Sequence, residues 1–338
     1  MNILLNGVGR IGKSILRLLS CNSHLNIVAI NELNTNIKNI AYSINYDSTY
    51  GRLEKQFLYD DCSIYNDTNH IHIFNEENLL NIDYKKNNID IIIDASGVNH
   101  TREFLNSLKI DKIFITHPMR DADINVVLGV NEDEIKAEHK IISTSSCNAT
   151  ALMPLLNILD TNYGIDVADI VTIHPLLNHQ KTLDSNCVGS SDRGVECNFE
   201  FGRSSTQNII PSRTTTITAC SYINEKYNHE TISSNSLRVP TPTVGAINLS
   251  VTFENKTSIN KIEAILKSYE KNQTYPIIKC NNEPLVSSDF QAQEYTTIVD
   301  MRYTHVLKNK HAKFVLWYDN EYGYASKVVD IILKYTHI

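Results

Sequence analysis

Residues 2–19 read NILLNGVGRIGKSILRLL, and this short stretch decides the architecture. Asn2–Asn6 is a brief apolar run suited to a strand, whereas Ile11–Leu19 carries its apolar residues at helical spacing. Between them Gly7, Gly9 and Gly12 form G-x-G-x-x-G. Glycines at such a junction allow a turn so tight that backbone N–H groups opening the helix can approach a pyrophosphate, where the helix dipole favours negative charge. The glycines alone fit an ordinary strand-to-helix turn equally well. The next run tips the balance: Asn26–Ile30 is again apolar and ends at Asn31 and Glu32, the latter about 20 residues past Gly12, where an acid takes a ribose 2′-hydroxyl. A carboxylate there repels the additional phosphate of NADP, so NAD is the expected cofactor. Taken alone, Glu32 could be a solvated charge at a strand end.

Outward from this stretch, short apolar runs alternate with helical patterns through Ile89–Ala95, Lys112–Thr116, Asn125–Gly129 and Lys140–Thr144. That alternation predicts parallel strands joined by crossover helices, a Rossmann-type doubly wound α/β sheet. Ala149–Asp160 is apolar at helical spacing and stops near Tyr163-Gly164. The character then changes. Ile170–His174, Ala246–Phe253, Tyr295–Asp300 and Lys313–Trp317 are rich in β-branched and aromatic residues with partial alternation, as in an α+β domain built on an antiparallel or mixed sheet. Asn178–Pro211 is long, polar and glycine-containing, which marks a functional loop. The expected division is a nucleotide-binding domain over 1–145 and a catalytic domain over 146–320, with a closing helix of about 321–338 packing back on the first.

Composition narrows the classes. A length of 338 residues accommodates two cores, and a net charge of -7 offers no electrostatic reason to bind nucleic acid. No apolar run approaches a membrane span, and Met1–Val8 lacks a basic n-region or cleavage-like site, so neither membrane anchoring nor a signal peptide is expected. The seven cysteines are odd in number, scattered and without CxxC spacing, which fits a reduced, cytoplasmic chain. Cys187 and Cys197 come nearest to a metal pair and do not qualify, so no metal is expected.

One cysteine differs. Cys147 lies in Ser143-Thr144-Ser145-Ser146-Cys147-Asn148-Ala149-Thr150, between an apolar strand and an apolar helix. At a helix N-terminus the dipole lowers a thiol's pKa, and a thiolate can attack an aldehyde to leave a thioester once hydride departs. Otherwise Cys147 is a small core residue. His174 closes the run Ile170–Ile173, and one helix and a return strand could bring its ring to the thiol as acid/base partner. With 12 histidines in the chain, spacing alone leaves His174 equally well a structural residue.

These residues sit in a longer series that resembles the glyceraldehyde-3-phosphate dehydrogenase family, including its erythrose-4-phosphate dehydrogenase branch. The series runs through Asn6–Gly12, Tyr46–Arg52, Ala95–Val98, Gly129–Asn131, Ser146-Cys147, Gln207–Pro211, Arg238–Pro242, Ser287–Phe290 and Trp317–Tyr324. The resemblance implies a phosphorylating, NAD-dependent oxidation of a phosphorylated aldehyde through a Cys147 thioester, with His174 as base. It implies that Gly7, Gly9, Arg10, Ile11, Gly12, Glu32, Ser96, Gly97 and Asn320 hold NAD, and that Arg238 binds the substrate phosphate. Ser146, Thr214 and Arg203 would line a second anion site for attacking inorganic phosphate. A homotetramer is implied as well, with Asn178–Pro211 reaching a neighbour's cofactor.

Departures from the family pattern bear on the substrate. Asn148 and Ala149 stand where threonines are usual. Leu177 and His179 replace two threonines of the substrate-phosphate site, and Thr215 replaces a glycine of the anion loop beside Arg213. His179 and Arg213 could supply replacement donors or simply face solvent. Glyceraldehyde 3-phosphate is the first substrate expected, and hydrolytic oxidation of erythrose 4-phosphate the alternative. Ile30–Leu33, Thr116–Pro118 and Ala137–Lys140 lean toward the latter, Gln180–Thr182 and Trp317–Asn320 toward the former. A semialdehyde dehydrogenase shares the cysteine and histidine but not Arg238 in its Val-Pro-Thr-Pro setting. A cofactor-binding regulator that has lost catalysis is the reading from another class.

Overall fold

The computed structural model describes residues 1–20, 24–33, 35–187 and 199–336. Cys21 and Cys197, and the middle of the predicted Asn178–Pro211 loop, lie outside the described residues. The chain forms two compact units, one of Met1–Val126, Glu134–Ser145 and Ala325–Ile338, the other of Val127–Asp133 and Ser146–Tyr324.

The first unit is built on a nine-stranded sheet. Its centre is the run quoted above: strand Asn2–Asn6, with Asn26–Asn31 parallel on one side and Ile91–Asp94 parallel on the other. The sheet extends in parallel through His70–Phe74 on the first side, and through Lys112–Ile115, Ile141–Ser143 and Ile124–Asn125 on the second. Two antiparallel strands, Ser63–Tyr65 and Leu58–Tyr59, finish one edge. The order reverses between Asn2–Asn6 and Ile91–Asp94, the switch point where the carboxyl ends of strands open a crevice. Strands buried on both faces need unbroken apolar runs, and Ile3, Leu4, Leu5, Ile92 and Ile93 are fully buried. The run Asn125–Gly129 is strand only over Ile124–Asn125. The closing helix spans Tyr322–Tyr335, and Tyr335 meets the edge of Phe114 within the first unit.

The second unit carries an eight-stranded sheet. The predicted runs reappear as Ile165–His174, Gly245–Phe253, Thr297–Asp300 and His311–Tyr318. The sheet is mixed: Ile165–His174 is antiparallel to Gly245–Phe253 but parallel to Ile232–Arg238. That last strand, ISSNSLR, escapes sequence reading because after Ile232 its inward positions include small polar residues, among them the buried Ser236. The helix Cys147–Tyr163 buries residues on every side, from Ala149 to Tyr163, which makes it the core of the unit rather than a surface helix. Among the described residues, no helix is long and apolar enough to cross a membrane.

Candidate active site

In the first unit the glycine turn is shaped by what it excludes. Gly7 has φ 90°, and a Cβ there would lie 2.7 Å from the Ser96 backbone. A Cβ on Gly12 would lie 2.0 Å from the Gly7 carbonyl oxygen, so turn and helix touch backbone to backbone. Gly9 is the opposite case: open space surrounds its missing side chain, and as N-cap of Arg10–Leu19 it leaves the helix start without a side-chain cap. A tight turn, an open approach and an uncapped helix N-terminus are what a dinucleotide pyrophosphate requires. The residues therefore fit NAD.

Around the turn, the Val8 amide donates to Glu32 Oε2 at 2.6 Å, so the acid at the end of the second strand also pins the loop. Asp94, buried at the end of the neighbouring strand, accepts from the Ser96 amide at 3.1 Å, the Ser96 hydroxyl at 2.7 Å and the Asn6 carboxamide at 3.0 Å. This holds the Ser96-Gly97 bend, where Gly97 has φ 72° and open space beside it. The Arg10 guanidinium is committed to Asp47, which it helps hold at a pKa of about 2, and lies over the Tyr50 ring. Ile11 is half-buried in the first turn of the helix.

In the second unit, Cys147 is the first residue of its helix, and Ser146 is the N-cap whose hydroxyl accepts from the Ala149 amide at 3.3 Å. The Cys147 Sγ lies 3.9 Å from His174 Nε2. His174 Nδ1 is 2.9 Å from the Pro175 carbonyl, which can only accept, so Nδ1 carries the proton and Nε2 turns its lone pair toward the thiol. Parallel register sets Arg238 directly opposite His174. Its Nε and Nη1 are buried and have no hydrogen-bond partner. Unsatisfied guanidinium donors inside a pocket are costly and mark a place for an anion.

Burial governs the ionisation of the pair. It pushes the Cys147 thiol up to about 11, against the opposing pull of Arg238 and of backbone N–H groups at the helix start. The same burial, with Arg238 adding to it, lowers His174 to about 3. Both shifts favour the neutral forms, so burial opposes the pull toward a thiolate that the helix N-terminus exerts. Desolvation of the half-buried sulfur is the largest of the effects acting on it.

The remaining expected residues divide. Asn148 is knit inward: its Oδ1 accepts from the Tyr318 hydroxyl at 2.5 Å, and its Nδ2 donates to Thr216 Oγ1 at 3.1 Å. Thr214 shares a 2.6 Å hydrogen bond with Thr216. Thr215 is exposed at the start of the short helix Thr216–Ser221 and caps nothing with its side chain; Arg213 is exposed beside it. His179 lies mostly exposed with its ring tilted against Phe201, and partial desolvation of the ring together with Arg238 lowers its pKa. Leu177 is half-buried, its amide tied to Gln180 Oε1. Arg203 is 64% exposed and paired with Asp184, without a hydrogen bond to the Cys147 group. Asn320 is buried; its Oδ1 accepts from Thr243 Oγ1 and the Val244 amide, which directs Nδ2 the other way as a donor. Sequence reading missed Tyr318 and Thr216, both buried and both hydrogen-bonded to Asn148, the residue next to Cys147. Tyr318 lay within a quoted motif, but its position there carried no sign of this contact.

The glycine turn of the first unit, with its fit to a dinucleotide, and the cysteine–histidine–arginine group of the second are the features of an NAD-dependent dehydrogenase. Comparison with known proteins makes this specific. The family model described as "Glyceraldehyde 3-phosphate dehydrogenase, NAD binding domain" matches residues 1–102, and "Glyceraldehyde 3-phosphate dehydrogenase, C-terminal domain" matches residues 146–320. Among curated relatives, a glyceraldehyde-3-phosphate dehydrogenase of Phytophthora infestans is 32% identical over 335 residues, 98% of each chain. Glyceraldehyde-3-phosphate dehydrogenase 2 of Bacillus subtilis (strain 168) is 28% identical over 336 residues, 98% of this chain and 96% of that one. The chain belongs to the glyceraldehyde-3-phosphate dehydrogenase family, and its cofactor is NAD.

Proposed function

We propose that this chain oxidises a phosphorylated aldehyde, glyceraldehyde 3-phosphate first among the candidates, through a thioester on Cys147 that inorganic phosphate then cleaves. The observation that carries the reading is the lone pair of His174 Nε2 turned toward the Cys147 thiol at 3.9 Å, beside a buried arginine with unpaired donors.

Cys147 gives its proton to Nε2 as sulfur attacks the aldehyde carbon, and the imidazolium returns it to the carbonyl oxygen, forming a thiohemiacetal. Bound NAD supplies the hydride acceptor that turns this adduct into a thioester. In that step Nε2 takes the hydroxyl proton, while the Pro175 carbonyl keeps the ring in the needed tautomer. A phosphate oxygen then attacks the acyl carbon, sulfur leaves, and the imidazolium reprotonates it. Arg238 anchors the substrate phosphate through its free N–H groups, a role that suits a planar fork of donors. Ser146 and Thr214 line the site of the attacking anion. Gly7, Gly9, Ile11, Gly12, Glu32, Ser96 and Gly97 hold NAD.

The test is a panel of phosphorylated aldehydes with NAD, with and without phosphate or arsenate. Formation of reduced nicotinamide that needs phosphate and disappears in Cys147→Ala supports the reading. Activity that persists without phosphate and prefers the four-carbon sugar phosphate would replace it with hydrolytic oxidation, a reading favoured by an Asn148 whose carboxamide is turned toward Tyr318 and Thr216. We also propose a homotetramer in the cytoplasm, the former checked by light scattering on the purified protein.

A further inference from the structure

The side chain beside the nucleophile is the least expected feature of the pocket. Asn148 Oδ1 sits 3.7 Å from Cys147 Sγ, slightly nearer than His174 Nε2 at 3.9 Å. A carboxamide oxygen has two lone pairs. One receives the Tyr318 hydroxyl at 2.5 Å, which leaves the other for the thiol proton. The carboxamide cannot turn away, because Nδ2 is held by Thr216 Oγ1 at 3.1 Å. Thr216 Oγ1 is itself held by a 2.6 Å hydrogen bond with Thr214 Oγ1, and Thr214 Oγ1 accepts from the Thr216 amide at 3.2 Å. With Tyr318 on one end of the carboxamide and Thr216 on the other, Oδ1 is the end that faces the sulfur.

We propose that Asn148 is a positioning residue for the nucleophile: its carboxamide oxygen gives the thiol proton a second resting place in competition with His174, and Tyr318 sets how strongly it competes. The proposal rests on the reading of Cys147 as nucleophile. A proton directed at Oδ1 stays on sulfur, because a carboxamide is no base at neutral pH. A proton directed at Nε2 can transfer and leave a thiolate. The Tyr318 hydroxyl, by occupying one lone pair, weakens Oδ1 as an acceptor for the second donor. Besides His174 from strand Ile165–His174, the titratable and charged groups facing Cys147 are Arg238 from Ile232–Arg238, Tyr318 from His311–Tyr318 and Glu321 just beyond. None of these is altered in Asn148 variants.

The experiment is the pH dependence of iodoacetamide alkylation at Cys147, followed on its own peptide by mass spectrometry in the full chain with NAD bound. Asn148→Ala removes the competing acceptor, so the midpoint should fall and the rate at pH 7 should rise about threefold to tenfold, the worth of one hydrogen bond. Tyr318→Phe frees Oδ1 to hold the thiol proton more firmly, so the midpoint should rise and the rate should drop severalfold. A role in packing alone predicts no such opposition. Midpoints that stay put, or that move the same way in both variants, overturn the proposal. If Asn148→Ala does not fold, Asn148→Thr is measured in its place, with the same downward shift expected and an unmoved midpoint equally damaging. Loss of turnover on alkylation is scored in parallel in the unmodified chain. An unmoved midpoint with turnover lost defeats the role of Asn148 alone, whereas full turnover after complete alkylation defeats the nucleophile reading beneath it.

Discussion

The glycine turn of the first unit and the cysteine pocket of the second are built on opposite principles. In the turn, shape does the work: backbone meets backbone at Gly7 and Gly12, and the polar side chains nearby, Asp94, Asn6 and Ser96, are joined to one another. In the pocket, shape is secondary and polarity is held in reserve. The Arg238 donors are unpaired, the His174 lone pair points at a thiol, and both members of the pair are kept neutral by burial. Electrostatic groups that are desolvated but unsatisfied act strongly on whatever enters, because no solvent or partner must be displaced first. A binding site can thus be fixed by geometry alone, while a reacting site needs unspent chemistry.

That contrast can be broken by substitution. The largest effect belongs to Cys147→Ala, which should lower turnover more than about ten-thousand-fold while NAD affinity, measured by calorimetry, stays within about twofold of the unmodified protein. Comparable loss of NAD affinity would mean that the pocket also carries the cofactor. Next comes His174→Asn. Removing a general base should cut kcat by about 10²- to 10⁴-fold, and a pre-steady-state assay should place the loss in the chemical steps. In the turn, Gly12→Ala forces a Cβ against the Gly7 carbonyl and should weaken NAD binding by roughly 1–3 kcal/mol of overpacking strain. Gly9→Ala meets nothing in the folded chain, so its melting temperature should hold while NAD affinity falls. Equal losses of melting temperature in the two variants would contradict a turn shaped by backbone contact.

The smallest effect is on stability. His174 has a folded-state pKa of about 3, below its unfolded value near 6.5, so between those pH values the unfolded chain binds more protons. Stability therefore rises with pH across that window, and is lost progressively as pH falls through it toward 3. His174→Asn does not titrate, and should flatten the acid limb of the stability curve by up to about 1.4 kcal/mol per pH unit in urea titrations. An unchanged slope would show that the imidazole is not buried neutral.

The same contrast explains what could be read from the chain in advance. A backbone-shaped turn leaves its mark locally, because Gly7, Gly9 and Gly12 must be close in sequence to be close in space. The doubly wound sheet followed from that turn and from apolar runs such as Ile91–Asp94. The pocket is assembled from positions far apart. Tyr318 and Asn148 are separated by 170 residues, and nothing in either residue's neighbours announces the 2.5 Å hydrogen bond between them. Strand Ile232–Arg238, which carries Arg238 to His174, was hidden by serines that show no periodic apolar signal. The ionisation of Cys147 could not be read because helix position is a sequence property and desolvation is not.

The helix Cys147–Tyr163 is buried along nearly its whole length, and its backbone amides have no water to exchange with unless the surrounding unit comes apart. Hydrogen–deuterium exchange from Ala151 to Leu159 should accordingly be governed by global opening, with lifetimes matching those of complete unfolding. Such a helix gives the sulfur at its head a rigid mount, so that fine adjustment falls to the small groups around it: a proton, a hydroxyl or an incoming anion.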